Sequence, residues 1–168
     1  SRWIRRIGYV LGTLVVLVAA LAGFVTVKSN GVVAQKYVVN AEPIVVAGDS
    51  ATLARGKHLV EAITKCTDCH AGDLGGKAFI SDPAFLQLNA TNLTRGDGGV
   101  GNQYDDQQFA VAIRHGVKSD STSVMIMPSD SYQSLTDADV AAIVAYVRAQ
   151  PPVNRMHAKT VVGPVARA

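Results

Sequence analysis

Cys66-Thr67-Asp68-Cys69-His70 is the stretch from which the rest of this chain can be read. Two thiols two residues apart at a helix end can each add to one vinyl group of a porphyrin. The next residue then falls beneath the metal. C-x-x-C-H is therefore the attachment pattern of c-type haem, with Cys66 and Cys69 as covalent anchors and His70 as an axial ligand to iron. One motif means one haem. A structural disulfide, a redox dithiol and half of a zinc site are the competing readings. Zinc needs more ligands than Cys66, Cys69 and a few scattered histidines supply. A thioredoxin-type dithiol belongs to a βαβ pattern, which is missing here.

A second axial ligand has to come from farther along. Met125-Ile126-Met127-Pro128 is placed for this, with Met127 lying 57 residues beyond His70, just ahead of the last helical pattern. Pro128 would restrict the backbone there and remove a competing amide donor. A methionine is more often core filler, but a haem motif upstream favours Met127 as the ligand. Met125, His58, His115 and His157 are the alternatives.

Around these residues the spacing predicts three short helices and a long loop. The first runs from Thr52 to about Lys65, with Leu53, Leu59, Val60 and Ile63 on one face. The second covers Asp105 to Arg114 and stops at Gly116. In the third, Thr136 caps the start, Asp137 and Asp139 suit the positive end of the helix dipole, and Pro151-Pro152 stop it. The Gly-rich stretch 71–103 reads as a loop, and a loop this long needs something to wrap around. Such elements make a poor core by themselves, so the expected fold is mainly α, with three to four helices wrapped around one haem. Leu74, Phe79, Phe85, Leu86, Phe109 and Ile113 are expected pocket walls, with Asn92 and Arg95 as candidates to bond the haem propionates.

The N-terminus decides the compartment. Ile7 to Val27 is 21 residues without a charge or a histidine. As a helix it would span about 31 Å, against roughly 30 Å of bilayer hydrocarbon. Arg2, Arg5 and Arg6 precede it, which keeps that flank cytoplasmic and sends the rest outside. Ala20-Leu21-Ala22 offers a signal-cleavage pattern, but the apolar stretch is longer than a usual signal core. The expected layout is an anchor at 1–28, a tether at 29–51, a haem domain at 52–153 and a basic tail at 154–168. The expected location is a bacterial inner membrane, crossed once, with the haem domain on the periplasmic face.

Composition narrows the classes further. The 168 residues are 48% hydrophobic with a formal net charge of +3, and mean hydropathy is +0.19. Beyond residue 28 there are twelve basic residues and thirteen acidic ones. The body is therefore not basic, and no nucleic-acid partner is expected. The four bases of 148–168 face no acid in that stretch, whereas 29–147 is net acidic. This segregation suggests that the tail lies on a neighbouring subunit or anionic headgroups, leaving the acidic body toward a redox partner.

Several strings extend the likeness beyond the haem motif. They are Gly75-Gly76-Lys77-Ala78-Phe79, Ala90-Thr91-Asn92-Leu93-Thr94, Ala112-Ile113-Arg114-His115-Gly116-Val117, and Met127-Pro128 followed by Tyr132 and Leu135-Thr136-Asp137. With them the stretch from Asp49 to Val153 resembles class I monohaem cytochromes c. The subgroup it resembles serves membrane-bound dehydrogenases and respiratory or photosynthetic complexes. The resemblance implies that Met127 is the iron ligand and that the first and last helices cross, which Gly56 against Tyr146 would suit. It implies a one-electron carrier subunit rather than an enzyme. Its complex would be a quinol oxidoreductase such as alternative complex III, a reaction centre, an oxidase or a dehydrogenase. Its redox partner would be another cytochrome or a copper protein. Dehydrogenase subunits of this kind usually carry several C-x-x-C-H modules, and this chain has one. A haem enzyme or gas sensor with an open sixth position is the alternative.

Overall fold

The structure is a computed structural model and describes residues 2–167. Its first helix, α1 (Arg2–Val33), is long and apolar enough to cross a membrane, and none of its residues is buried against the rest of the chain. It outlasts the apolar stretch by more than a turn, running through Asn30 and Gly31, residue types that often end a helix.

The helical body begins where Asp49 accepts the N–H groups of Ala51 and Thr52 at 3.0 Å, capping α2 (Ser50–His58). α2 passes into a π-helical turn (Leu59–Ile63), closed by Thr64 N–H donating to Leu59 O at 2.8 Å. Such wide turns are rare and concentrate at functional sites. α3 (Cys66–His70) follows at once. α4 (Asp106–His115) starts with a reciprocal cap between Asp105 and Gln108 and ends at Gly116, whose φ of 63° suits glycine. α5 (Ser129–Tyr132) is a single turn. α6 (Asp137–Ala149) starts at Thr136, whose Oγ1 accepts from Asp139 N–H. It stops at Gln150, held extended by the proline that follows.

The core lies between α2 and α6, with Val60, Val140, Ile143 and Val144 buried and Phe109 of α4 closing one side. Gly56 makes the crossing close. A Cβ added there would stand 2.0 Å from Ala142 O and 2.8 Å from Tyr146 Cβ. The expected contact with Tyr146 is therefore present. Arg55 pairs with Asp139 across the same crossing, and the Tyr146 hydroxyl donates to Glu61 at 3.0 Å. Arg148 ties α6 to the start of α4 through Asp106 at 2.9 Å and to the loop before it through the carbonyls of Gly101 and Tyr104, while lying over the Phe109 ring.

Two regions differ from the sequence expectation. The stretch 71–103 is not loop throughout. β1 (Lys77–Asp82) and β2 (Leu86–Ala90) form an antiparallel hairpin, bulged between Ala78 and Ile80. β1 is exposed almost throughout and carries no half-buried alternation, while β2 is largely half-buried and alternates Leu86-Gln87-Leu88-Asn89 over too few residues to stand out within a Gly-rich stretch. The second region is the expected tail, described over residues 154–167. Rather than standing apart as a tail, it straps the domain. Arg155 N–H donates to Asp97 O, and the Arg155 guanidinium makes a two-pronged pair with Asp73. β3 (Val161–Val162) adds to the edge of β2. Finally α7 (Pro164–Arg167) brings Arg167 to Asn30 at the base of α1. Arg155 is drawn to an acid of the body of the chain, a contact that local composition does not reveal.

Candidate functional site

The two cysteines and the histidine share one turn of helix, entered and left under strain. Lys65 caps α3 at φ 53°, Ala71 leaves it at φ 64°, and Leu74 follows at φ 54°. The non-glycine residues at positive φ among those described are these three and Ser121. Such strain collects at sites where surrounding structure over-determines the backbone.

Cys66 and Cys69 are both free thiols, each partly buried. Burial pushes the Cys66 thiol up, against a smaller opposing effect of the Thr64 hydroxyl 3.2 Å from its sulfur. His70 is held by its Nδ1, 2.7 Å from the carbonyl oxygen of Thr91. With Nδ1–H donating to that oxygen, Nε2 keeps its lone pair for a metal, the usual way in which an imidazole ligand is oriented. Burial lowers the imidazole below its ordinary range, which favours the neutral, ligating form.

The Met125–Pro128 stretch is tied down at both ends. Val124 N–H donates to Gly116 O at 2.7 Å. Beyond Pro128, Ser129 Oγ meets Ala112 O at 3.2 Å and the Tyr132 hydroxyl donates to Thr64 O at 2.8 Å. Burial pushes the Tyr132 phenol up to about 12, with the two cysteine sulfurs as further causes. The segment carrying Met127 is thus fastened beside the segment carrying Cys66. Met127 is half-buried, whereas Met125 is 44% exposed.

These residues fit a haem. Two free thiols and a metal-ready imidazole occupy one turn, and a thioether lies on a loop lashed to the same region. Large apolar side chains next to them stand open, Ile63 at 58% and Ile126 at 42%, as expected of surface that a bound apolar group would cover. Among the described residues no three His, Cys, Asp or Glu side chains converge, so nothing completes a zinc site around Cys66 and Cys69.

The remaining candidates separate. Asn92 is fully buried and its amide is committed to the protein. Nδ2 donates to Val153 O at 2.6 Å, and Oδ1 accepts from Thr94 N–H and Oγ1 at 2.9 and 2.8 Å. The expected propionate contact at Asn92 is therefore corrected: its capacity holds the C-terminal strap against the 92–101 loop. Arg95 is exposed, and among the described residues its guanidinium has no partner. Of the alternative ligands, His58 and His115 are exposed, and His157 is spent on Gly75 O at 2.9 Å. Of the expected walls, Leu74, Leu86 and Phe109 are buried, while Phe79 and Phe85 stand open. Nothing in the sequence marks the Thr91 carbonyl as the partner of His70, because a backbone acceptor has no side-chain signature.

An attachment turn with a protein-held imidazole, closed by a methionine loop on a three-helix frame, defines a class I c-type cytochrome domain that binds haem c. Residues 51–147 match the family described as cytochrome c oxidase, cbb3-type, subunit III, and the chain belongs to that family. It is 34% identical over 127 residues to the fructose dehydrogenase cytochrome subunit of Gluconobacter japonicus, covering 71% of this chain and 26% of that protein. It is 33% identical over 119 residues to a nicotinate dehydrogenase subunit of Pseudomonas putida, 67% of this chain and 10% of the relative. The gluconate 2-dehydrogenase cytochrome c subunit of Pantoea cypripedii is 34% identical over 105 residues, 58% and 23% respectively. The chain thus spans a quarter or less of the length of two of these relatives and little more of the third.

Proposed function

We propose that this chain is a one-electron carrier subunit of a membrane-bound oxidoreductase complex. It would hold one haem c through Cys66 and Cys69, with His70 and Met127 as axial ligands. The observation that carries the reading is the His70 Nδ1–Thr91 O contact of 2.7 Å on the same turn as two free thiols. Haem, when bound, supplies a one-electron iron couple, and thioether ligation raises its potential. The chain's own part is to keep the ligands still. Thr91 O holds the His70 ring, and the Tyr132 hydroxyl on Thr64 O holds the end of the methionine segment. Ligands that do not rearrange suit electron transfer. Arg95, exposed and without a partner among the described residues, would be free to meet a propionate.

The names of the three relatives favour a dehydrogenase as the electron source. Other subunits of that complex are then the standing partners, with a further cytochrome or a copper protein as acceptor. α1 anchors the chain. Arg2, Arg5 and Arg6 before its apolar run support a cytoplasmic N-terminus in a bacterial inner membrane, with the haem domain on the periplasmic face.

Acid-acetone extraction of the denatured native protein tests the reading. Haem should stay with the polypeptide at one haem mass per chain, and a Cys66→Ser/Cys69→Ser double variant should release it. Complete extraction from the unaltered chain would overturn the proposal.

A further inference from the structure

The segment leaving the membrane helix does not hang free. Lys36 pairs antiparallel with Thr122, and Tyr37 N–H donates to Ser121 O at 2.9 Å. The Lys36 ammonium donates to Asp120 O. A few residues on, Gln107 of α4 takes Ile44 N–H on its Oε1 at 3.1 Å and donates from Nε2 to Glu42 O at 3.1 Å. Ile44 and Val46 then pack against the core.

The receiving turn needs that support. It is a narrow ribbon in which Val117 pairs with Ser123, Lys118 N–H donates to Thr122 O at 2.9 Å, and Ser121 N–H donates to Lys118 O at 2.8 Å. Ser121 sits at φ 67°, a left-handed conformation that a serine adopts at a cost. The Tyr37 amide binds the carbonyl of that same strained residue. Asp120 helps from within, accepting from Thr122 N–H and Oγ1 at 2.9 and 2.6 Å. The hydroxyl of Thr122, ahead of the nearby Lys118 and Lys36, holds the Asp120 carboxyl below the usual carboxylate range. Past Ser123 the ribbon runs directly into Val124 and the Met125-Ile126-Met127 segment. Any movement of the turn is delivered there within a few residues.

We propose that Lys36 and Tyr37 form a strut that positions the Met127 loop, so that the exit of the membrane anchor sets the rigidity of the sixth-ligand side. This rests on Met127 as the iron ligand. Lys36 and Tyr37 are then a structural part of the site rather than slack tether. A chain whose strut is broken keeps its haem but holds the sixth ligand loosely.

The test uses the full-length haem-loaded protein in detergent. Tyr37→Pro removes the donated N–H, and Lys36→Met removes the ammonium but keeps the stem. Val45→Ala, at a side chain 88% exposed, is the control. Hydrogen exchange of amides 117–127 should quicken roughly tenfold or more in either variant and stay unchanged in the control. Added imidazole should also displace the sixth ligand faster. Should Tyr37→Pro fail to fold, Lys36→Met still decides. Unchanged exchange overturns the strut, and faster exchange with unaltered imidazole entry overturns its link to the ligand. Met127→Ala, run in parallel, separates the two failures. If that variant keeps its sixth-ligand spectrum, the assignment of Met127 falls and not the strut.

Discussion

The Tyr132 hydroxyl donates to the carbonyl of Thr64 at 2.8 Å, joining the turn after Met127-Pro128 to the residue two places before Cys66. These two segments are 68 residues apart in sequence. The bond makes the placement of the methionine depend on the attachment helix.

Replacing Met127 therefore separates the ligand from its neighbour. Met127→Ala should open the sixth position, lower the reduction potential and let carbon monoxide bind the ferrous protein. Met125→Ala, at a side chain already open to solvent, should leave the ligation spectrum as it was. A larger spectral change at Met125 would reverse the assignment.

Gly56→Ala should unfold the domain more easily. The new Cβ would meet Ala142 O at 2.0 Å, a backbone atom that cannot rotate away. Separating α2 from α6 to admit it should cost about 1–3 kcal/mol or more, read as a lower denaturant midpoint.

Asn92 and Arg95 should part in their behaviour. Asn92→Ala strands buried backbone partners on both sides of the C-terminal strap and should cost about 1–3 kcal/mol, measured by thermal unfolding of the haem-loaded chain. Arg95→Ala removes an exposed, unpaired guanidinium and should leave stability nearly unchanged. If Arg95 meets a propionate, its loss should instead shift the reduction potential.

The strap also confers a dependence on pH. The Asp73 carboxyl is pulled down to about 2 from 3.8, chiefly by its hydrogen bonds from Arg155 and next by that from Gly75 N–H. A folded-state pKa below the unfolded one contributes stability that is whole above the unfolded value and lost as pH falls through the folded one. The stability difference between the native chain and Asp73→Asn should thus be constant near neutrality and shrink between about pH 4 and about pH 2. It should be small, since the two side chains are 40% and 44% exposed. A difference that grows in acid would contradict the pairing.

Much of this protein is written locally. Cys66-Thr67-Asp68-Cys69-His70 announces its own chemistry, because covalent attachment demands those groups at that spacing. The 21 uncharged residues from Ile7 make a helix of membrane-crossing length, because so long an apolar run matches the bilayer hydrocarbon. Thr136, Gly116 and Pro151-Pro152 mark helix ends through backbone rules that act within one turn. Only the folded chain decided the rest. The partner of His70 is a carbonyl at Thr91, and the partner of the Tyr132 hydroxyl is a carbonyl at Thr64. Asn92 holds Val153, Arg155 finds Asp73, and Tyr37 reaches Ser121. Each is a contact between residues distant in sequence, most of them made to a main-chain oxygen. A main-chain oxygen is the same at every position, so its role depends on where the chain brings it.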